Sequence, residues 1–256
     1  MPFSNQVIEL SKNIQQFDPD CVNYEKFLTT EESEYSSLMP YASKIIIDII
    51  KEHFNCNDVD NVLDMTSHIG CDAINFHRRF NASVICLENN EDVYKCLKQN
   101  LETFNNNITE NYAVYCNCLD FISGFKKQMD FVYIDPPWGG FGYWEYNKIM
   151  LYLEHGGNKI PIYDVIKQIS KESFTENVII KAPHNFDFDK FVKMTYNWFS
   201  IKTHCIYKYN KQFDVIPRIA YYLIICTKLY NAEAPKAYNI KYLLKPDAGS
   251  LLYKYK

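Results

Sequence analysis

The sequence predicts an α/β protein built on a mostly parallel sheet with helices on both faces. Between Asn61 and Thr227, short and nearly continuous apolar runs alternate with segments of helical periodicity. That is the pattern of parallel strands buried on both faces. Three of the runs also end in an acid or lead straight to one: Asp64, Glu88 and Asp135. Open α/β sheets bind ligands outside the carboxyl ends of their strands, where such acids would lie.

The first forty residues are polar and weakly periodic, with an acidic cluster at Glu31, Glu32 and Glu34. Pro40 then opens a helix, because Ile45, Ile46, Ile49, Ile50 and Phe54 recur at helical spacing behind it. The first strand is read at Val62 to Met65 and its helix through Ala73 to Phe80. The second strand is Val84 to Glu88, followed by a helix from Asp92 to Phe104. Ala113 to Cys116 forms the third strand and Phe131 to Asp135 the fourth. Val178 to Lys181 is the fifth, with a helix from Phe188 to Phe199. Ile201 to Tyr207 and Ala220 to Thr227 flank a polar turn around Asn210 to Asp214, which predicts an antiparallel hairpin closing the sheet edge. Three segments are expected: a helical extension over 1–57, the core over 58–230 and a Lys- and Tyr-rich tail over 231–256.

Composition narrows the function. A chain of 256 residues, 47% apolar and 23% charged, has room for one substantial core. The net charge of −4 supplies no broad basic field for a long nucleic acid, so any nucleic acid must be gripped locally, by stacking and a few charges. No apolar run is long enough to cross a bilayer, and the first residues lack a signal-peptide pattern, so an intracellular monomer without membrane attachment is expected, cytoplasmic or nuclear. The nine cysteines show no C-x-x-C spacing, which predicts buried thiols and no metal site.

Glu88 stands 24 residues after Asp64. An acid there can accept both hydroxyls of a ribose, or it can cap the following helix. Asp120 can receive an adenine amine or cap its own short helix. The strongest motif is Asp135-Pro136-Pro137-Trp138-Gly139-Gly140. An exocyclic base amine is a poor nucleophile, because its lone pair is delocalised into the ring. Methylating it requires acceptors for its N–H groups, so that the nitrogen can turn its lone pair outward. The Asp135 carboxylate and Pro136 carbonyl are candidates for that role, since Pro137 keeps the preceding residue extended. Trp138 offers a flat face for the base, and a positively charged base would add a cation–π attraction. Gly139 and Gly140 leave room for close approach.

This motif resembles that of the trimethylguanosine synthases, the cap guanine-N2 methyltransferases, including giant-virus relatives. The likeness spans roughly Val62 to Asp187. It takes in Asp64-Met65-Thr66-Ser67-His68-Ile69-Gly70-Cys71-Asp72-Ala73-Ile74 at the cofactor loop, then Leu119-Asp120-Phe121 and Pro183-His184-Asn185-Phe186-Asp187. The resemblance implies a class I, Rossmann-like methyltransferase fold with a seven-stranded, mostly parallel sheet and an antiparallel last strand. It implies S-adenosylmethionine as cofactor, with Asp64, Thr66, Ser67, Gly70, Glu88 and Asp120 as its contacts and S-adenosylhomocysteine as product. Asp135 and Pro136 would activate the amine of a capped RNA or cap nucleotide, bound through Trp138, Lys181, His184 and Asn185. Tyr35, Ser36, Pro40 and Lys44 in the N-terminal extension are further cap-site candidates.

The family's cofactor loop is richer in glycine; here His68 and Cys71 stand at two glycine positions, and His184 replaces the basic residue expected near the cap phosphates. Lys181 or Arg218 would have to compensate, and His184 can equally be a plain surface residue. His155-Gly156-Gly157 reads as an ordinary loop or a lid, and Tyr143 and Trp144 as pocket walls or core. Two other functions fit the same residues: adenine-N6 methylation of RNA, which also uses Asp-Pro-Pro-Trp, and an RNA-binding scaffold with little activity. The two glycines after Trp138 and the Pro183-x-Asn185-x-Asp187 spacing favour guanine.

Overall fold

The computed structural model describes residues 7–9, 26–30, 33, 40–54, 59–104, 112–140, 142–208 and 218–230. The chain forms two compact units, Met1–Tyr133 and Ile134–Lys256. Tyr35, Ser36, the turn around Asn210 to Asp214, the Arg218 side chain and the tail over 231–256 lie outside what is described.

In the first unit, β1 (Val7–Glu9) pairs antiparallel with β2 (Leu28–Thr30), a strand pair not legible in the polar N-terminal sequence. Next come α1 (Pro40–Phe54), β3 (Asn61–Asp64), α2 (Cys71–Phe80), β4 (Ser83–Glu88) and α3 (Glu91–Phe104). The unit continues with β5 (Tyr112–Tyr115), α4 (Cys118–Ile122) and β6 (Phe131–Ile134). Strand β3 runs parallel to both β4 and β6, and β5 extends the set beyond β4. The central strands are buried along almost their whole length, whereas β5 leaves Tyr112 and Tyr115 exposed. The isoleucines predicted at helical spacing on α1 are buried. Phe76 of α2 packs edge-on against Phe131 and Tyr133 of β6, at 5.4 and 5.0 Å between ring centroids. Each such side chain contributes roughly 1.5–3 kcal/mol on burial.

Asn100, fully buried on α3, donates to the carbonyls of Leu28 and Ile69 and accepts from the Leu28 N–H. One amide thereby ties β2 to the loop after β3. A buried polar group must be satisfied, and this one is satisfied by backbone.

The second unit has a 3-10 turn at Tyr143–Glu145, then β7 (Tyr152–His155), β8 (Asn158–Pro161) and α5 (Ile162–Glu172). It ends with β9 (Asn177–Pro183), α6 (Phe188–Thr195), β10 (Phe199–Lys208) and β11 (Arg218–Lys228). His155-Gly156-Gly157 is the corner of the β7–β8 hairpin: both glycines take positive φ, 57° and 77°, as a two-residue hairpin turn of matching twist requires. Helix α6 stops at Thr195, four residues short of the sequence expectation, because Phe199 is already in β10. Helix α5 presents Ile162, Val165, Ile166 and Ile169 to the core.

The main sheet has seven strands in the order β10-β11-β9-β6-β3-β4-β5. Strand β11 is antiparallel to both its neighbours, β9 and β10. The last strand is therefore the antiparallel one, as expected, but it is inserted inside the edge and leaves β10 outermost. Four of the described cysteines, Cys71, Cys86, Cys96 and Cys226, are buried free thiols, and no described group of side chains is arranged to hold a metal.

Candidate active site

The loop after β3 is shaped by its own backbone. The Met65 N–H bonds the Tyr133 carbonyl at 3.0 Å and the Ser67 N–H bonds the Leu87 carbonyl at 3.0 Å, so the loop leaves the sheet between two neighbouring strands. Asp64 is 1% exposed; its Oδ1 accepts from the Thr66 N–H, and the Ser67 hydroxyl donates to the Asp64 carbonyl at 3.0 Å. Gly70 then opens α2 at φ +93°. A Cβ there would stand 2.9 Å from Leu97 Cδ1, so both conformation and space require glycine. Gly70→Ala should cost about 1–2 kcal/mol of stability and weaken cofactor binding, read by urea denaturation and calorimetry.

The two positions where the family carries glycine resolve differently. Cys71 is the first residue of α2 and needs no unusual dihedral. His68 adopts φ +50° itself, a left-handed conformation that histidine accepts more readily than most side chains. Its N–H donates to Glu88 Oε2 at 3.1 Å, while Glu88 Oε1 accepts from the Asn89 and Asn90 N–H groups. Glu88 thus locks the loop to the end of β4. The cap of α3 is instead Asn90, whose Oδ1 accepts from Asp92 and Val93. On α4 the cap is Asn117, which accepts from Leu119, and Asp120 stands exposed in the first turn.

The His68 ring is partly reached by solvent at its rim, but its Nε2 is enclosed and without a hydrogen-bond partner. Burial lowers its pKa from 6.5 to about 4. Between those values the unfolded chain holds the extra proton, so the stability this residue contributes is complete above about 6.5 and is lost as pH falls toward about 4. Urea midpoints at pH 7 and 5 should therefore separate more in the wild type than in His68→Asn, a residue that also tolerates the left-handed region.

These residues fit S-adenosylmethionine. The group presents ribose hydroxyls, an adenine amine, an ammonium and a sulfonium, all donors or cations. The carboxylates of Asp64, Glu88 and Asp120 are acceptors and anions, and Gly70 lets the loop pack directly against Leu97.

In the second unit, β6 delivers the chain into Asp135. Asp135 is partly buried, Pro136 buried, Pro137 exposed and Trp138 half-buried, with Gly139 and Gly140 at φ +103° and +76°. Lys181, 3% exposed on β9, places its ammonium 2.5 Å from Asp135 Oδ2. The same nitrogen lies 5.3 Å from the centre of the Trp138 ring and 5.4 Å from that of Tyr221. Burial raises the pKa of Asp135 above the ordinary carboxylate value, and the charge and hydrogen bond of Lys181 pull it back. The buried Trp138 indole N–H approaches Asp135 closely enough to help stabilise its charge, without closed hydrogen-bond geometry.

Tyr143 packs edge-on against Trp138, at 5.4 Å and 80°, and lies 6.3 Å from the ring of His184. Asn185 is buried, and its amide nitrogen donates to the carbonyls of Tyr143 and Tyr146 at 2.7 and 2.8 Å. Those two bonds fix the amide orientation, and the buried Asn185 Oδ1 has no partner. The backbone reinforces the turn: Ile149 N–H bonds Asn185 O, and Asp187 N–H bonds Ile149 O. The segment after β9 therefore holds the Tyr143–Tyr146 turn beside Trp138, while His184 itself is exposed.

Of the sequence-predicted residues, Asp135, Trp138, Lys181 and Asn185 share one neighbourhood, with His184 at its rim. Asp64, Thr66, Ser67 and Glu88 share another. Lys44 is exposed on α1, with nothing to connect it to either. Sequence reasoning missed the Lys181–Asp135 pair, although a lysine inside the apolar run Val178 to Ala182 was its signal.

Comparison with known proteins accords with this geometry. Residues 59–226 match the model of the RNA cap guanine-N2 methyltransferase family. A relative from Acanthamoeba polyphaga mimivirus, uncharacterized protein L320, is 29% identical over 130 residues, covering 51% of this chain and 48% of its own length. The match thus spans about half of that relative. Among solved structures, precorrin-6y C5,15-methyltransferase of Geobacter metallireducens has a TM-score of 0.54 at 12% identity, covering 83% of this chain and all of its own. Protein 1320 of Thermoplasma acidophilum has a TM-score of 0.50 at 11% identity, covering 74% of this chain and 90% of its own. These identities speak to the fold. The family match covers well over half the chain: it belongs to the RNA cap guanine-N2 methyltransferase family and has the fold of S-adenosylmethionine-dependent methyltransferases.

Proposed function

We propose that the protein transfers a methyl group to the exocyclic N2 amine of guanosine, or 7-methylguanosine, in an RNA cap. The observation that carries this reading is the Asp135–Trp138 arrangement: a partly buried acid and a buried proline follow a central strand, and a half-buried indole comes next. When bound, S-adenosylmethionine supplies a methyl group on a positively charged sulfur and departs as the neutral thioether. The chain aligns and shields. Asp64, Glu88 and Asp120, with Thr66, Ser67 and Gly70, hold the cofactor. Asp135 and the Pro136 carbonyl accept from the guanine amine, so that the nitrogen lone pair turns toward the methyl carbon. Once the amine nitrogen has taken the methyl group that the cofactor would supply, its proton would pass to Asp135 or to water. Trp138 stacks on the base, backed by Tyr143, and His184 at the rim is placed for a cap phosphate.

Asn185 supports guanine over adenine. Its unpartnered Oδ1 and the Asp135 carboxylate are both acceptors, matching the N1–H and N2–H donors of guanine; adenine offers an acceptor at N1. Labelled cofactor supplied with a 7-methylguanosine cap analogue, an unmethylated cap, or uncapped RNA rich in adenosine tests the reading. Label should enter the cap guanine. Label confined to internal adenosine would overturn it, and failure to bind S-adenosylhomocysteine would point to a scaffold.

A further inference from the structure

We infer that Lys181 is a positioning residue for this reaction: its ammonium keeps the Asp135 carboxylate ionised and holds it in one orientation toward the amine. The inference deepens the reading above and rests on it for the identity of the amine.

The geometry carries it. Lys181 lies on β9 opposite Leu223 of β11, in a strand whose Val178, Ile179, Ile180 and Ala182 are all buried. An ammonium in such a place is costly unless paired. It is paired, with Asp135 Oδ2 at 2.5 Å, and its side chain is 4% exposed against 18% for the acid. The aromatic faces of Trp138 and Tyr221 lie on either hand, so the lysine has little freedom to leave.

An acid this enclosed tends to keep its proton, and a protonated acid is a weaker acceptor for an amine hydrogen. Among the groups that face Asp135 are Lys181 from β9, Trp138 from its own loop and Tyr143 from the following turn. Tyr221 faces the lysine from β11, and His184 lies beyond Tyr143. Lys181 is the cation among them in contact with the acid. The pairing also fixes the plane of the carboxylate relative to the indole, because one nitrogen touches the acid and overlies the ring.

The test uses Lys181→Gln, which keeps a hydrogen-bond donor without charge, and Lys181→Arg, which keeps the charge. Folding of both is checked by circular dichroism. In Lys181→Gln the acid limb of the kcat/KM profile should move to higher pH, so that activity lost on the acid side returns as the pH is raised. Lys181→Arg should restore the limb toward its wild-type position. The Asp135 carboxyl resonance, followed by NMR without substrate, should titrate at higher pH in the glutamine variant. An unmoved carboxyl titration overturns the inference, as does a uniform loss of rate that raising the pH does not recover. The NMR arm needs no methyl acceptor, so it decides the role of Lys181 even if the cap guanine proves not to be the substrate.

Discussion

Replacing Asp135 by Asn should lower kcat by about 10²–10³-fold, the loss typical of removing one preorganised electrostatic partner, while S-adenosylhomocysteine binding stays near wild type. The asparagine variant is more informative than Asp135→Ala. Alanine would strand Lys181 at 3% exposure as a buried, unpaired charge, a change that costs about 3–5 kcal/mol and could unfold the chain. Asparagine keeps an oxygen for the ammonium and nearly the same volume, but that oxygen is uncharged and its amide nitrogen is no acceptor for the amine. Calorimetry with the cofactor product separates the outcomes. A rate within threefold of wild type would remove Asp135 from the reaction, and a joint loss of rate and cofactor binding would mean that the substitution disturbed the fold.

The second large effect belongs to Trp138. Base–aromatic stacking contributes about 1–3 kcal/mol per base, so Trp138→Ala should weaken cap-analogue binding by about 5- to 150-fold. Trp138→Phe, which keeps a smaller ring, should lose less. The indole also screens one side of the Lys181–Asp135 pair, so the alanine variant admits water there and should lower kcat as well as raise KM. Fluorescence titration with 7-methylguanosine and guanosine cap analogues measures both affinities. Equal affinity in wild type and Trp138→Ala would exclude stacking as the grip on the base.

The sheet was legible because most of its parallel strands are short apolar runs separated by helical periodicity, and strands β3, β4, β6 and β9 fall within two residues of their expected bounds. The β7–β8 hairpin was not, since its strands carry Glu154, His155, Asn158 and Lys159 and bury little. Helix α5 was hidden for a different reason: Ile162, Val165, Ile166 and Ile169 do follow helical spacing, but they begin directly after Pro161, which reads as a break. At the site, the acids at strand ends and the Asp-Pro-Pro-Trp motif are local signals. The Lys181–Asp135 pair joins residues 46 apart, and Asn185 reaches back to Tyr143 and Tyr146 across about forty residues. Such partnerships depend on which strands become neighbours, and periodicity does not carry that information. The left-handed His68 was foreseeable only as a tolerance of the side chain.

The placement of β11 between β9 and β10 also constrains how the chain can be made. On a ribosome, β9 and β10 emerge first, and the strand that bonds to both of them is the last of the sheet to be translated. Until residue 228 clears the exit tunnel, both strands must wait with open backbone groups, a state that invites capture by chaperones or by other nascent chains. Ending the chain between residues 208 and 218 would make that transient state permanent.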